Sequence, residues 1–148
     1  MLCCCCSGRS KLVLRAAVRS LGRALSGEPH RMTLVLRTDL GMGKGKLCAQ
    51  ASHGALGAFR AAASSPDAAR RAALEAWECS GQGKVVVRAD SEAQLLALWE
   101  ACIERGLPST VIRDAGLTQI PCGSITCLAI GPALASAIDE VTGDLRLL

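Results

Sequence analysis

Four short apolar runs constrain the fold of this chain more than any other feature. They are Met32–Arg37, Lys84–Arg88, Thr110–Arg113 and Thr126–Ile130. Each is too short for a helix. They are rich in β-branched residues and apolar on consecutive positions, so they read as strands buried on both faces. Between them lie stretches with helical signals. Lys46 to about Ala63 is alanine-rich, and Ser65-Pro66 offers an N-cap serine and an N1 proline for a helix running to about Cys79. Ser91-Glu92-Ala93-Gln94 fits a capping box, and the helix behind it sets Leu95, Trp99 and Cys102 on one face, with Leu96 and Ile103 beside them. Arg105-Gly106 ends that helix, and Gly131-Pro132 opens a last one to about Val141. Leu145–Leu148 is placed to add an edge strand. Strands alternating with helices predict an α/β fold: a mixed four- to five-stranded sheet with helices on both faces, in three layers. The close succession of the third and fourth strands predicts an antiparallel pair.

Charge divides the chain. Residues 1–31 hold six basic residues against Glu28, a net of +5, whereas 32–148 hold eleven against twelve acidic residues, a net of −1. Any contact of the body with a polyanion must therefore run through a local patch such as Lys44, Lys46, Lys84 and Arg88. Only Phe59, Trp77 and Trp99 are aromatic, too few for a base-stacking platform. The nine cysteines include the run Cys3 to Cys6, but the body has no CxxC pair and no histidine at ligand spacing, so zinc is disfavoured. Single cysteines on apolar periodicities read as small buried hydrophobes.

The body, 32–148, reads as one domain and 1–31 as a basic leader. Lys11, Arg15, Arg19 and Arg23 recur at i, i+4, opposite Leu14, Val18, Leu21 and Leu25. Arginine-rich, acid-free amphipathic N-termini suit organelle import. Next to such a stripe, acylation of Cys3 to Cys6 would anchor the chain at a membrane. A disordered tail, or a true start at Met32, either of which leaves a cytoplasmic protein, is the third reading.

The chemistry-bearing residues collect in two segments. Arg37–Lys46 is a strand end running into a glycine-rich turn, and on the following helix Lys46, Gln50, His53 and Gly57 step by 4, 3 and 4 along one face. Lysines in the first turn sit against the positive end of the helix dipole, where acids are favoured, so an anion must compensate: a phosphate or Asp114. The loop fits neither a P-loop nor a dinucleotide fingerprint. Asp114 closes the third strand, with Thr118 four residues on. An Asx turn would also place an aspartate there, but strand ends are where α/β folds build sites. Ser124 and Thr126 follow in the turn and fourth strand. Neither a GxSxG elbow nor a Ser-His-Asp arrangement is legible.

These segments resemble the archaeal and eukaryotic, or type 2, peptidyl-tRNA hydrolases. The resemblance is carried by RTDLGMGKGKLCAQASH from Arg37, WECSGQGKVVV from Trp77, DAGLTQIPCGSITCLAIGP from Asp114 and VTGDLRLL from Val141. It implies metal-free hydrolysis, with no cofactor, of the ester joining a peptide to the tRNA acceptor end, often by a dimer. It implies catalytic roles for Lys46, Asp114, Thr118 and Thr126, and substrate contacts for Gln50 and His53. Lys44, Lys84 and Ser124 complete the expected substrate-binding set. The alternative is an adaptor that keeps the fold without turnover.

The leader yields one prediction. Fused to a fluorescent reporter, residues 1–31 send it to an organelle and are removed on import, which mass spectrometry of the mature protein detects. An intact, unacylated leader on a freely cytosolic protein would exclude delivery.

Overall fold

The computed structural model describes residues 27–116 and 120–148. The amphipathic stripe and the cysteine run of the leader, and Thr118, lie outside the described residues. Strand β1 (His30–Arg37) leads to helix α1 (Lys44–Ala63) and helix α2 (Ala68–Cys79). Strand β2 (Lys84–Ala89), helix α3 (Glu92–Glu104), strand β3 (Ser109–Arg113), strand β4 (Ile125–Leu134) and helix α4 (Ala135–Thr142) follow. The sheet order is β2-β1-β4-β3. β1 and β2 are parallel, and β4 runs antiparallel to both β1 and β3. The mixed, four-stranded α/β sheet expected from the apolar runs is what forms.

Alternation along the strands builds a core on each face. Met32, Leu34, Leu36, Cys127 and Ala129 meet Ala58 and Ala62 of α1 and Leu74 and Trp77 of α2. Val35, Val87, Leu128 and Ile130 meet Leu95 and Cys102 of α3 and Ile138 of α4. Burial pushes the Cys102 and Cys127 thiols up to about 11 and about 12. Cys48, Cys79 and Cys122 are exposed, so the reading of the cysteines as buried hydrophobes holds for Cys102 and Cys127 only among the described residues.

Several boundaries move. The fold reaches further toward the N-terminus than Met32. His30 and Arg31 pair with Leu134 and Ala133, and the Glu28 carboxylate accepts the Ser136 N–H at 2.6 Å in the first turn of α4. α2 is capped by Asp67, whose carboxylate accepts the Ala69 N–H at 2.9 Å, and not by Ser65. A charged acceptor serves the positive helix end better than a hydroxyl, and Ser65 Oγ instead accepts from the Asp67 N–H. Gly131-Pro132 opens no helix. It continues β4 across a register shift, and α4 starts at Ala135, because a proline is tolerated in a strand at a bulge and the pairing with β1 resumes beyond it.

Other signals hold as expected. Ser91 Oγ accepts the Gln94 N–H at 3.1 Å, although the Gln94 side chain reaches back to Asp90 N–H, one residue earlier than a capping box requires. Gly106, at φ +68°, is the C′ residue of α3. Leu107 N–H bonds Cys102 O and Gly106 N–H bonds Ile103 O, a Schellman closure. Ile103 itself is exposed. The C-terminal residues add a short edge to β2 through Arg88 N–H to Arg146 O and Leu148 N–H to Val86 O.

α1 lies close on the sheet because small residues face it. A Cβ at Gly54 would sit 2.8 Å from Cys127 Sγ and 3.3 Å from Leu34. Gly54→Ala should therefore destabilise the fold, since overpacking of ~1–3 kcal/mol outweighs a helix-propensity gain of ~1 kcal/mol. Adding Cys127→Ala should restore the loss, and urea unfolding of the two variants reads both.

Candidate active site

The site forms where the first turn of α1 passes over the end of β3 and the start of β4. Asp114 follows β3, and its backbone is held by the turn that returns to β4. Its N–H bonds Ser124 O at 2.9 Å, and its carbonyl accepts Gly123 N–H at 2.8 Å. Its Oδ2 accepts the Gly116 N–H at 2.9 Å, the Asx turn that the spacing allowed. Gly116 has φ +74°, and a Cβ there would lie 2.5 Å from the backbone of Cys122, so only glycine closes this loop.

Asp114 Oδ1 accepts two bonds from α1. Lys46 Nζ donates at 2.6 Å and Gln50 Nε2 at 2.8 Å. The side chains of Lys46 and Asp114 are 11% and 8% exposed, so the ion pair is largely shielded from water. α1 has no acid in its first turn and no side-chain cap at Gly43; the carboxylate that the basic first turn called for comes from Asp114, across the fold. Because Asp114 can only accept, the Gln50 amide must turn its NH₂ toward it. The Gln50 oxygen then accepts the Thr126 hydroxyl at 2.6 Å. Gln50 is buried and bridges the two, so it orients its neighbours and does not offer itself to a ligand.

Thr126 owes its direction to a β-bulge. Ile112 pairs with Cys127 and Arg113 with Ile125, which leaves Thr126 as the extra residue. Cys127 already faces α1, and the bulge turns Thr126 to the same side.

The other expected residues are dispersed. Lys44 is exposed at the start of α1, and His53 is exposed farther along the same helix. Ser124 spends its hydroxyl on Pro121 O at 2.8 Å and holds Asp114 through its carbonyl. Thr118 lies outside the described residues. Lys84 is not brought to the cluster. It pairs with Met32 at the far end of the sheet, with Nζ 4.6 Å from the Trp77 ring centroid and donating to Gln82 O. Spacing gave Arg37 no role, although a charge ending an apolar strand two residues before an aspartate was a legible signal. Arg37 is buried and donates to both oxygens of Asp39, to Glu92 and to Ile125 O.

Residues 30–148 match the family model described as peptidyl-tRNA hydrolase PTH2. The chain belongs to the PTH2 family. It is 46% identical over 134 residues to a probable peptidyl-tRNA hydrolase 2 of Drosophila melanogaster, covering 90% of this chain and 69% of that protein. It is 46% identical over 119 residues to a peptidyl-tRNA hydrolase of Methanopyrus kandleri, covering 80% and 98%. It is 45% identical over 118 residues to one of Sulfurisphaera tokodaii, again covering 80% and 98%. Lys46, Gln50, Asp114 and Thr126 all fall within the span that matches PTH2.

The hydrogen bond from Lys46 holds the Asp114 carboxyl below its ordinary 3.8, helped by Gly116 N–H and Gln50 and opposed by burial. A depressed carboxyl pKa stabilises the fold above the ordinary value, and the contribution is lost as pH falls through the folded value. NMR titration of the Asp114 carboxyl should give a midpoint below 3.8 in the wild type and an upward shift in Lys46→Met. Equal midpoints in the two proteins would remove the ion pair as the cause.

Proposed function

We infer that this protein hydrolyses the ester bond between peptide and tRNA in peptidyl-tRNA and releases free tRNA for reuse. The observation that carries the reading is the shielded chain from Lys46 through Asp114 and Gln50 to Thr126, in a chain that belongs to the PTH2 family.

The chemistry follows from what each group can do. Water attacks the ester carbonyl carbon, an oxyanion forms, and collapse expels the ribose hydroxyl of the tRNA end. Lys46 is the group that stabilises the oxyanion, because a fixed ammonium beside a developing negative charge costs no reorganisation during the reaction. Asp114 holds Lys46 in place. A carboxylate whose pKa is kept low is a weak proton acceptor, so its role here is to fix the ammonium and to orient water, more than to remove a proton outright. Thr126 is fully buried and donates its proton to Gln50, so its part is to hold the Gln50 amide toward Asp114 and thereby the Lys46–Asp114 pair in place. Thr118 completes the catalytic set by the family resemblance. No metal or cofactor enters this scheme.

Lys44 and His53, both exposed on α1, are the proposed contacts for the acceptor end. Lys84 contributes at most a distant phosphate contact, given its place at the other end of the sheet. A homodimer, and delivery of the chain to a mitochondrion or another organelle by residues 1–31 through an import receptor or an anionic membrane, complete the proposal. It rests on the resemblance and on the basic stripe of the leader. A cytoplasmic protein is the alternative. A non-catalytic adaptor would have no need for a shielded ion pair wired to a threonine.

Lys46→Ala and Asp114→Ala should each lower kcat by ~100-fold or more, the scale of losing one preorganised electrostatic group. Single-turnover release of tRNA from peptidyl-tRNA measures it, with circular dichroism as the fold control. Near-normal turnover in both folded variants would refute the assignment.

A further inference from the structure

The bulge that aims Thr126 lies in the pairing of β4 with β3, and on its other edge β4 loses its pairing with β1 at the same point. Where a ladder stops, a strand carbonyl is left without its partner, and a buried carbonyl without a partner costs stability. Here the carbonyl of Ile125, the residue immediately before Thr126, accepts Arg37 Nη1 at 3.0 Å in a buried bond. The pairing of β1 with β4 has already ended at Leu36 and Cys127, so a side chain takes over where the strand ladder stops.

Arg37 reaches this carbonyl from the face opposite α1. Leu36 points to the α1 side, whereas Val35 packs with α3 and α4, and Arg37 follows Val35 by alternation to meet Glu92 at the start of α3. The guanidinium is clamped in turn. Asp39 takes Nε at 3.0 Å and Nη2 at 2.7 Å, a fork-on-fork pair, and Glu92 takes Nη1. The Arg37 hydrogen bonds hold the Asp39 carboxyl below its ordinary range, so the pair keeps both charges further into acid than a free aspartate would. The guanidinium thus joins the end of β1, the loop that leads to α1, the start of α3 and the start of β4.

We propose that Arg37 is a positioning residue for the hydrolysis: by holding the Ile125 carbonyl it sets the bulge, and the bulge sets the Thr126 hydroxyl against Gln50 and hence against Asp114 and Lys46. The inference rests on the reading of Thr126 as part of the reacting cluster. Lysine cannot replace it, because one ammonium cannot serve the Asp39 fork, Glu92 and Ile125 O together.

A double-mutant cycle tests this. Arg37→Lys should lower kcat by roughly 10- to 100-fold with KM held, the scale of a catalytic group displaced by about 1 Å. In a Thr126→Val background the same change should have almost no further effect, since the group it positions is gone. A purely structural arginine would instead lower kcat by the same factor in both backgrounds, and that result overturns the proposal, as does a loss confined to KM. If Thr126→Val alone leaves turnover intact, the reading of the site and this inference fall together. If Thr126→Val lowers turnover but the Arg37→Lys factor persists undiminished, only the inference about Arg37 falls. Should Arg37→Lys fail to fold, Glu92→Gln supplies the second cycle. Its side chain is 48% exposed, so the change loosens the same guanidinium nitrogen without opening the core, and the same non-additivity with Thr126→Val is expected.

Discussion

The Asp114 carboxylate organises this molecule's functional end. It accepts from Lys46, Gln50 and Gly116 while shielded from water, and a buried carboxylate left short of donors would be costly. That requirement ties together parts of the chain far apart in sequence. α1 must start where its first turn can deliver Lys46. The loop after β3 must close tightly enough, through Gly116 against Cys122, to present an amide to the second oxygen. Removing one partner would strand a charge, so the cluster is specified more strongly than its few hydrogen bonds suggest. The same electrostatics resolve the basic first turn of α1: the charge that opposes the helix dipole is answered by a carboxylate from another strand.

The sheet supplies the precision. α1 sits close on β3 and β4 because Gly54 and Gly57 leave room for Cys127, Thr110 and Ile112. That short separation lets Gln50, a side chain of modest length, bridge Asp114 on one strand end and Thr126 on the next strand. A single extra residue in β4 then turns Thr126 into the bridge, and the charged clamp around Arg37 holds the strand from behind. The two faces of the sheet are therefore coupled through one backbone carbonyl. Groups that react together need fixed mutual geometry, and rigid strands carry it better than loops do.

Much of this was legible in the residues. The four apolar runs fell where strands form, Ser91 and Gly106 marked the ends of α3, and the face shared by Lys46 and Gln50 pointed to one partner. Local signals failed where two of them competed or where pairing overrode them. Ser65-Pro66 looked like a helix start, but the stronger acceptor, Asp67, lay two residues on. Gly131-Pro132 looked like the start of the last helix, but pairing with His30 and Arg31 carried β4 through it. Lys84 joined the basic patch on charge alone; a strand's two ends are indistinguishable in composition, and it lies at the wrong one.

By itself, then, the sequence determined the alternation of strands and helices, the three-layer class, the family and most of the residues of the candidate cluster, because periodicity, capping and motif strings are local properties. The tertiary structure decided the strand order, the bulge at Thr126, the use of Gln50 as a bridge and the place of Arg37 behind the sheet. Those depend on which groups meet across 64 to 88 residues of chain, and no local pattern encodes that meeting. It is settled only when burial forces every charged and polar group near the end of the sheet to find its partner.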